Sequence, residues 1–311
     1  MNVANSSPTA APATWGTALS DTAADRIRVR GYDLAELIGT VPFASVVHLL
    51  YTGDLPDAPT ARLIDAVMVA SIDHGAGAPS VLAARTAISG GASLQAGTAA
   101  GLLALGEFHG AAVEAAMLAI GSVVQTAAAD GHTLAASAER LVATYRDQGR
   151  RVPGFGHRQH RTRDPRLDRL VAVANDAGVA GDHLAAAEAL EAALARSVGR
   201  PLPINIDGAI AAVLGEVGFP SDLGNALFIA ARLAGILAHV NEERQTMAPM
   251  RRVDPTGHTY HSRPPPILGW GNTPQPPSRS RHAARRILIQ LHRHPLPIEY
   301  TGQHHRQPDA A

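Results

Sequence analysis

The sequence predicts a nearly all-helical protein, and three observations carry that prediction. Alanine and leucine dominate long stretches, apolar residues recur at three- and four-residue spacing, and β-branched residues rarely alternate with polar ones. With 311 residues, 46% of them hydrophobic, the chain can bury a substantial core, as one large domain or two interlocked ones.

Residues 1–15, rich in Ala, Ser, Thr and Pro, read as a flexible leader. The run DRIRVRGYDL is briefly alternating, after which Leu34, Leu37 and Ile38, then Val46, Val47, Leu49 and Leu50, mark helical faces that end at Gly53 and Pro56. Helical spacing returns from Thr60 to about Ala70. From Ala83 to Ala129 alanine and leucine dominate, with scattered glycines, a composition that favours helices packed at close range. Asp164-Pro165 marks a break or a new helix start. Asp182–Val198 and Ala226–Glu243 are clear helices, and in the second Arg232 and His239, seven residues apart, share one face. After Ser262 the chain is dense in Pro, Arg and His and is expected to be a poorly ordered tail with one short helix around Arg285.

Composition removes several chemistries. The chain has neither cysteine nor lysine, which excludes disulfides, thiolate nucleophiles, cysteine–zinc sites, Schiff-base lysines and a P-loop lysine. A formal charge of zero argues against a dedicated nucleic-acid binder. Beyond Asp254 only Glu299 and Asp309 face seven arginines, so the preceding body is mildly acidic. The N-terminus lacks the basic and apolar regions of a signal peptide, and Glu107, His109, Arg232 and His239 interrupt the most apolar stretches. A cytoplasmic protein without membrane contact is the expectation.

The most informative segment is VPGFGHRQHRTRDPRL, from Val152 to Leu167. Val152, Pro153, Gly154, Phe155 and Gly156 offer backbone that can approach a flat ligand, because glycine has no Cβ in the way. His157 follows, and Arg158, Arg161, Arg163 and Arg166 supply planar cations suited to phosphates and carboxylates. A basic surface turn is the competing reading of this segment alone. Three other places stand out. His109, in GEFHGAAVEAA, lies near a helix N-terminus, where the macrodipole keeps an imidazole neutral and able to donate to a carbonyl becoming an enol. Asp207, in PLPINIDGAI, is expected in an apolar loop after Pro203, where desolvation makes it a stronger base. His74, in SIDHGAGAPS, precedes a Gly/Pro loop. Taken singly, each histidine reads equally as a packing residue, Asp207-Gly208 as turn chemistry, and Arg232 as a surface arginine.

Their succession is more specific. DHGAGAPS, GEFHGAA, GFGH with the arginine of DPR nine residues beyond the histidine, NIDGA and LFIAARLAGILAHVNEE occur in that order. The series resembles the citrate synthase family, including its citryl-CoA lyase-like members, from about Ser20 to Asp254; RVRGYDLAELIG and VVHLLYTGDLP look like the family's opening helices.

The resemblance implies an all-α fold: a large helical domain over 16–145, a smaller inserted CoA-binding domain over 146–225 that closes over substrate, a return to the large domain over 226–261, and the tail over 262–311. It implies three catalytic residues: His109 stabilises the acetyl-CoA enol, Asp207 removes the thioester methyl proton, and His157 polarises the oxaloacetate ketone and protonates the alkoxide. His74, Arg166 and Arg232 would bind oxaloacetate. Val152, Pro153, Gly154, Phe155 and Gly156 would hold the CoA adenine, and Arg161 a CoA phosphate. The activity implied is condensation of acetyl-CoA with oxaloacetate to citrate and CoA, a tricarboxylic acid cycle reaction, by a homodimer without a metal or a permanently bound cofactor; the coenzyme A thioester enters as substrate. Cleavage of citryl-CoA uses the same carbon–carbon chemistry and is the alternative. A weakly active, CoA-binding regulatory relative is the alternative of another class. Its motive is Ala248, before Pro249, where the family carries a basic residue donated across the dimer; Arg251 or Arg252 could replace it if the backbone shifts. The tail after Ser262 does not match the family.

Overall fold

A computed structural model describes residues 16–107, 109–156 and 164–252, together with Gly257 and Thr259. Residues up to Val253 make one compact unit, whose boundary precedes the composition shift at Ser262. The leader, the whole tail over 262–311, Phe108, and the stretch 157–163 that holds His157 and Arg161 lie outside the described residues.

The alternating run becomes a small antiparallel ribbon of β1 (Ser20–Thr22), β2 (Ile27–Val29) and β3 (Tyr32–Asp33), with Ser20 opposite Val29 and Val29 opposite Tyr32. Both residues of the β2–β3 turn, Arg30 and Gly31, have positive φ, the twist that suits a two-residue hairpin. Arg30 adopts it while its guanidinium donates to the Leu50 carbonyl at 2.8 Å, which ties the ribbon to the helices.

Among the described residues, everything else regular is helical. Asp33 caps the short α1 (Leu34–Leu37), and α2 (Phe43–Thr52) closes on a left-handed Gly53. Asp57 caps α3 (Ala58–Ser71), and Pro79 opens α4 (Pro79–Ser89). Ser93 caps α5 (Leu94–Leu103), which is followed by α6 (Val113–Asp130) and by α7 (Leu134–Asp147), capped by Thr133. Asp164-Pro165 does start a helix: Asp164 is the cap and Pro165 the first residue of α8 (Pro165–Asp176). The chain continues through α9 (Asp182–Val198), α10 (Ile206–Glu216), a 3-10 turn (Ser221–Leu223) and α11 (Gly224–Thr246).

Asp207 is a correction to the sequence reading. It is the second residue of α10, not part of a loop. Every residue from Gly208 to Leu214 is buried, so α10 has no polar stripe and no helical period for the sequence to reveal.

One apolar cluster joins α2 and α3 to α6 and to α8, α9 and α10, through Leu63, Ile120, Leu170, Leu190 and Ile210 among others. A smaller cluster of Ala84, Ile88, Ile236 and Val240 joins α4 to α11. The stretch Ser221–Thr246 is long and apolar enough to cross a membrane, but Leu227, Phe228, Arg232, Ile236 and Val240 are buried against neighbouring elements, the pattern of a core helix.

Candidate active site

Arg232 anchors one side. Midway along α11 it is only 1% exposed; its Nε donates to the Ser71 carbonyl at 2.7 Å, and its guanidinium lies 4.8 Å over the Phe228 ring. Its Nη1 lies 2.9 Å from His74 Nδ1. A guanidinium can only donate, so Nδ1 must accept, and the His74 proton sits on Nε2. Partial burial first, then the positive fields of Arg232 and Arg166 and the neighbouring His109, push His74 down to about 4, so the ring is neutral at physiological pH. Its outer side is open to solvent. Among the described residues no carboxylate lies within ion-pair distance of Arg232. Burial and the field of Arg166 disfavour the Arg232 charge and the fields of Asp73 and Asp207 only partly offset this, so an anion entering the pocket would be attracted.

His109 stacks on His74, with ring centroids 5.6 Å apart and planes at 29°. It lies between α5 and α6 in a turn where Gly106 and His109 exchange backbone hydrogen bonds of 2.8 and 2.9 Å. Its Nε2 accepts the Ser80 backbone N–H at 3.3 Å and lies 2.8 Å from Ser80 Oγ. The helix end beside the ring is therefore that of α4, not that of α6, which follows it in sequence. Burial first, and then Arg232, pushes its pKa down. With Nε2 accepting, the neutral ring carries its proton on Nδ1 and can donate it to a thioester oxygen. Ser80, fully buried at the second position of α4, sets that tautomer. The sequence offered one signal for it: the serine directly after the Pro that opens a helix.

Asp207 supplies the carboxylate. Burial raises its pKa, and the fields of Arg166 and Arg232 only partly offset this. Asn205 caps α10 by accepting from the Asp207 and Gly208 amides at 3.0 and 3.1 Å. The cap is thus made by Asn205, and the Asp207 carboxyl is not consumed in that task. Both residues stand in the NID motif, but only the aspartate stands out from sequence.

The 152–156 loop is fastened directly to this helix start. Gly156 N–H donates to Pro203 O at 2.7 Å, Asn205 N–H to Gly154 O at 3.0 Å, and the Asn205 side-chain amide to Gly156 O at 3.0 Å. Phe155 pairs with Ile204 as an antiparallel bridge, and Val152 is buried. Glycine is required on both sides: a Cβ on Gly154, at φ 87°, would stand 2.8 Å from Gly208 Cα, and one on Gly208 only 2.3 Å from Gly154 O. Val152, Pro153, Gly154, Phe155 and Gly156 are in this way held beside Asp207.

Arg166 follows one residue after the first proline of α8. Asp164, 2% exposed, grips it as a fork, with Arg166 Nε and Nη2 donating at 3.1 and 2.7 Å. Asp164 thus aims the arginine as well as capping the helix. The field of Arg166 reaches His74, Asp207 and Arg232, which puts it at the same site.

The structure brings together His74, His109, Arg166, Asp207, Arg232 and the glycine loop. In the C-terminal segment Arg251 is paired within the chain: its Nε donates to Glu243 Oε1 at 3.0 Å and a second nitrogen grips the other oxygen, while Glu243 also receives Arg85 at 2.6 Å. Met250, at φ 58°, donates to the Ser89 carbonyl at 2.7 Å and holds this segment against α4.

Residues 56–253 match the family model for the citrate synthase C-terminal domain. A putative citrate synthase 2 from Mycobacterium tuberculosis is 30% identical over 194 residues, which is 61% of this chain and 49% of that protein. The chain therefore spans about half the length of the curated relatives it matches. The structure of citryl-CoA lyase from Hydrogenobacter thermophilus superposes with a TM-score of 0.73 at 37% identity, covering 84% of this chain and 98% of that one. ATP citrate lyase from Methanothrix soehngenii, in complex with citrate and coenzyme A, shares the fold with a TM-score of 0.70 at 21% identity, over 82% of this chain and 43% of that one. On the extent of the family match, and with a site of this composition, the chain belongs to the citrate synthase family.

Proposed function

We propose that this site breaks, and can remake, the carbon–carbon bond of citryl-CoA, giving acetyl-CoA and oxaloacetate. The observation that carries the reading is Arg232: a buried cation hydrogen-bonded to a neutral His74, with Asp207 in its field and His109 stacked alongside. Arg232 and Arg166 bind carboxylates of the citryl group, and the His74 Nε2–H donates to the same end of the substrate. A base takes the proton of the substrate hydroxyl, the role assigned to His157. As the resulting alkoxide becomes the ketone, the carbon–carbon bond breaks and its electron pair moves into the thioester, where the His109 Nδ1–H meets the developing oxygen charge. Asp207, its carboxyl pKa raised by burial, delivers a proton to the new methyl carbon. Run in reverse, Asp207 removes that proton and the enol attacks the ketone. Closure of the 146–225 segment over the substrates, with the CoA adenine on Val152 to Gly156 and a phosphate on Arg161, belongs to the same reading.

The cleavage direction is favoured by likeness to the Hydrogenobacter citryl-CoA lyase over nearly all of that protein's length. The second reading, citrate synthase, is favoured by the Mycobacterium relative's name. It adds one step, hydrolysis of the citryl thioester, that the carbon–carbon chemistry does not need. Citryl-CoA supplied to the protein should yield oxaloacetate, measured by reduction to malate; acetyl-CoA and oxaloacetate supplied together should release no free CoA thiol. Thiol release would establish the synthase instead. Failure of both assays with CoA still bound would favour the regulatory relative that Ala248 motivated.

We also place the protein in the cytoplasm as a homodimer without a resident cofactor. The dimer is supported by the exposed Leu82 on α4, Leu103 on α5, Leu118 on α6 and Ile229 on α11, which leave apolar surface uncovered. Sedimentation equilibrium that returned a monomer mass would refute that part.

A further inference from the structure

His239 shares a face of α11 with Arg232 but has no part in the chemistry above. Its Nε2 lies 3.2 Å from Asp73 Oδ1, its Nδ1 is 3.8 Å from Glu242, and its side chain is 16% exposed. The other oxygen of Asp73 accepts the Gly75 N–H at 3.0 Å, closing a tight turn around His74. Between the two contacts α11 presses directly on this segment: a Cβ on Gly235 would stand 2.2 Å from the Ile72 carbonyl and 3.2 Å from Asp73 Cβ. One helix face thus grips residues 71–75 at three points. Arg232 takes Ser71 and His74, Gly235 admits the Ile72 backbone, and His239 takes Asp73.

We propose that His239 is a positioning residue: by holding Asp73 it orients the turn that carries His74, so that the His74 Nε2–H faces the four-carbon dicarboxylate. This rests on the reading that His74 and Arg232 bind oxaloacetate. Two links can be separated physically. The Arg232–His74 bond sets which nitrogen of His74 bears the proton, while the His239–Asp73 contact sets where the ring stands. Asp73 suits the task because it stays ionised: burial alone would raise its pKa, but the Gly75 amide and His239 outweigh that. A dicarboxylate bound at His74 would feel a displaced turn at once, whereas CoA, bound at the 152–156 loop, would not.

The test compares His239→Leu, which fills the space without a donor, with His239→Gln, which keeps an N–H toward Asp73. Oxaloacetate and CoA binding are measured by titration calorimetry on the full chain. The leucine variant should bind oxaloacetate about tenfold more weakly, the size expected for one hydrogen bond to a charged group. CoA affinity should be unchanged, and the glutamine variant should recover most of the loss. In a His74→Ala background, His239→Leu should have no further effect, because the group being positioned is gone. Wild-type oxaloacetate affinity in the leucine variant, equal losses in Leu and Gln, or a full additive loss in the double variant would each overturn the proposal. If the leucine variant fails to fold, Asp73→Asn probes the same contact from its other side: weakened oxaloacetate binding supports the proposal, and unchanged binding refutes it. If the wild-type protein binds no oxaloacetate at all, the reading of the site has failed, independently of what His239 does.

Discussion

Around Arg232 and His74 the site is held by side chains that meet across 158 residues of sequence, whereas around Asp207 it is held mainly by backbone amides and carbonyls of the 152–156 and 203–208 segments, with the Asn205 side chain joining them. The first side holds a permanent charge in a buried setting, tolerable because a carbonyl and a neutral imidazole accept its protons. The second holds a carboxylate whose desolvation is useful, since a raised pKa makes it a better proton carrier. Side-chain contacts fix the charge and tautomer of a reacting group. Backbone contacts fix the shape of a ligand surface, which is why glycine appears on both strands of that contact.

The largest expected effect breaks the chemistry on the Asp207 side alone. Asp207→Asn should lower citryl-CoA turnover by about 10²–10⁴-fold, as for other acid–base residues, while oxaloacetate affinity by calorimetry changes little. The same variant should be more stable than the parent at neutral pH. The folded-state pKa is raised, so the ionised carboxyl is penalised in the folded protein above that pKa; the penalty, and with it the variant's advantage, disappears below the ordinary carboxylate value of about 3.9. Melting curves of both proteins from pH 3 to 8 check this.

The opposite side should respond in binding. Arg232→Met removes a charge that meets carboxylate, so oxaloacetate affinity should fall by the equivalent of about 2–5 kcal/mol, and CoA affinity should not. Thermal stability should stay close to the parent's, because an apolar side chain in place of a buried charge offsets the orphaned Ser71 carbonyl. A large stability loss with intact oxaloacetate binding would show that Arg232 is structural.

Smaller again is the effect of crowding the backbone contact. Gly208→Ala places a methyl 2.3 Å from Gly154 O, and overpacking of this kind costs about 1–3 kcal/mol. CoA affinity should drop more than oxaloacetate affinity; the reverse order would mean that the 152–156 loop does not hold CoA.

The smallest effect is the pH dependence of the Arg232 side. His74 titrates at about 4 in the folded protein, below its usual value near 6.5, so the unfolded chain takes up the proton first. The associated stability is complete above about pH 6.5 and is lost as pH falls toward 4; with the ring open to solvent on one side it amounts to about 1 kcal/mol. His74→Gln should flatten this part of the stability–pH curve.

Much of the fold was legible because helices leave local signs. The α9 boundaries follow from Asp182 and Gly199, and Asp164-Pro165 marks the start of α8 as a cap followed by a proline. The start of α10 was not legible: the stretch after Pro203 reads as an apolar loop and Asp207-Gly208 as turn chemistry, and a helix buried on every side has no period. In the site, residue types and order pointed to His74, His109, Arg166, Asp207 and Arg232. Ser80, Asn205 and Asp164 escaped because they act on other residues, and nothing in a serine or asparagine by itself says what it will face.

The amino-acid sequence alone determined the helical class, the Asp164-Pro165 helix start, the glycines of the 152–156 loop and the absence of cysteine and lysine chemistry, since each depends on a residue's own conformational or chemical properties. Only the tertiary structure decided that His74 must be an acceptor at Nδ1, that His109 is met by the end of α4, and that His239 reaches Asp73. Those are relations between groups 29 to 166 residues apart, and hydrogen bonds of that span are set by packing, which no local pattern encodes.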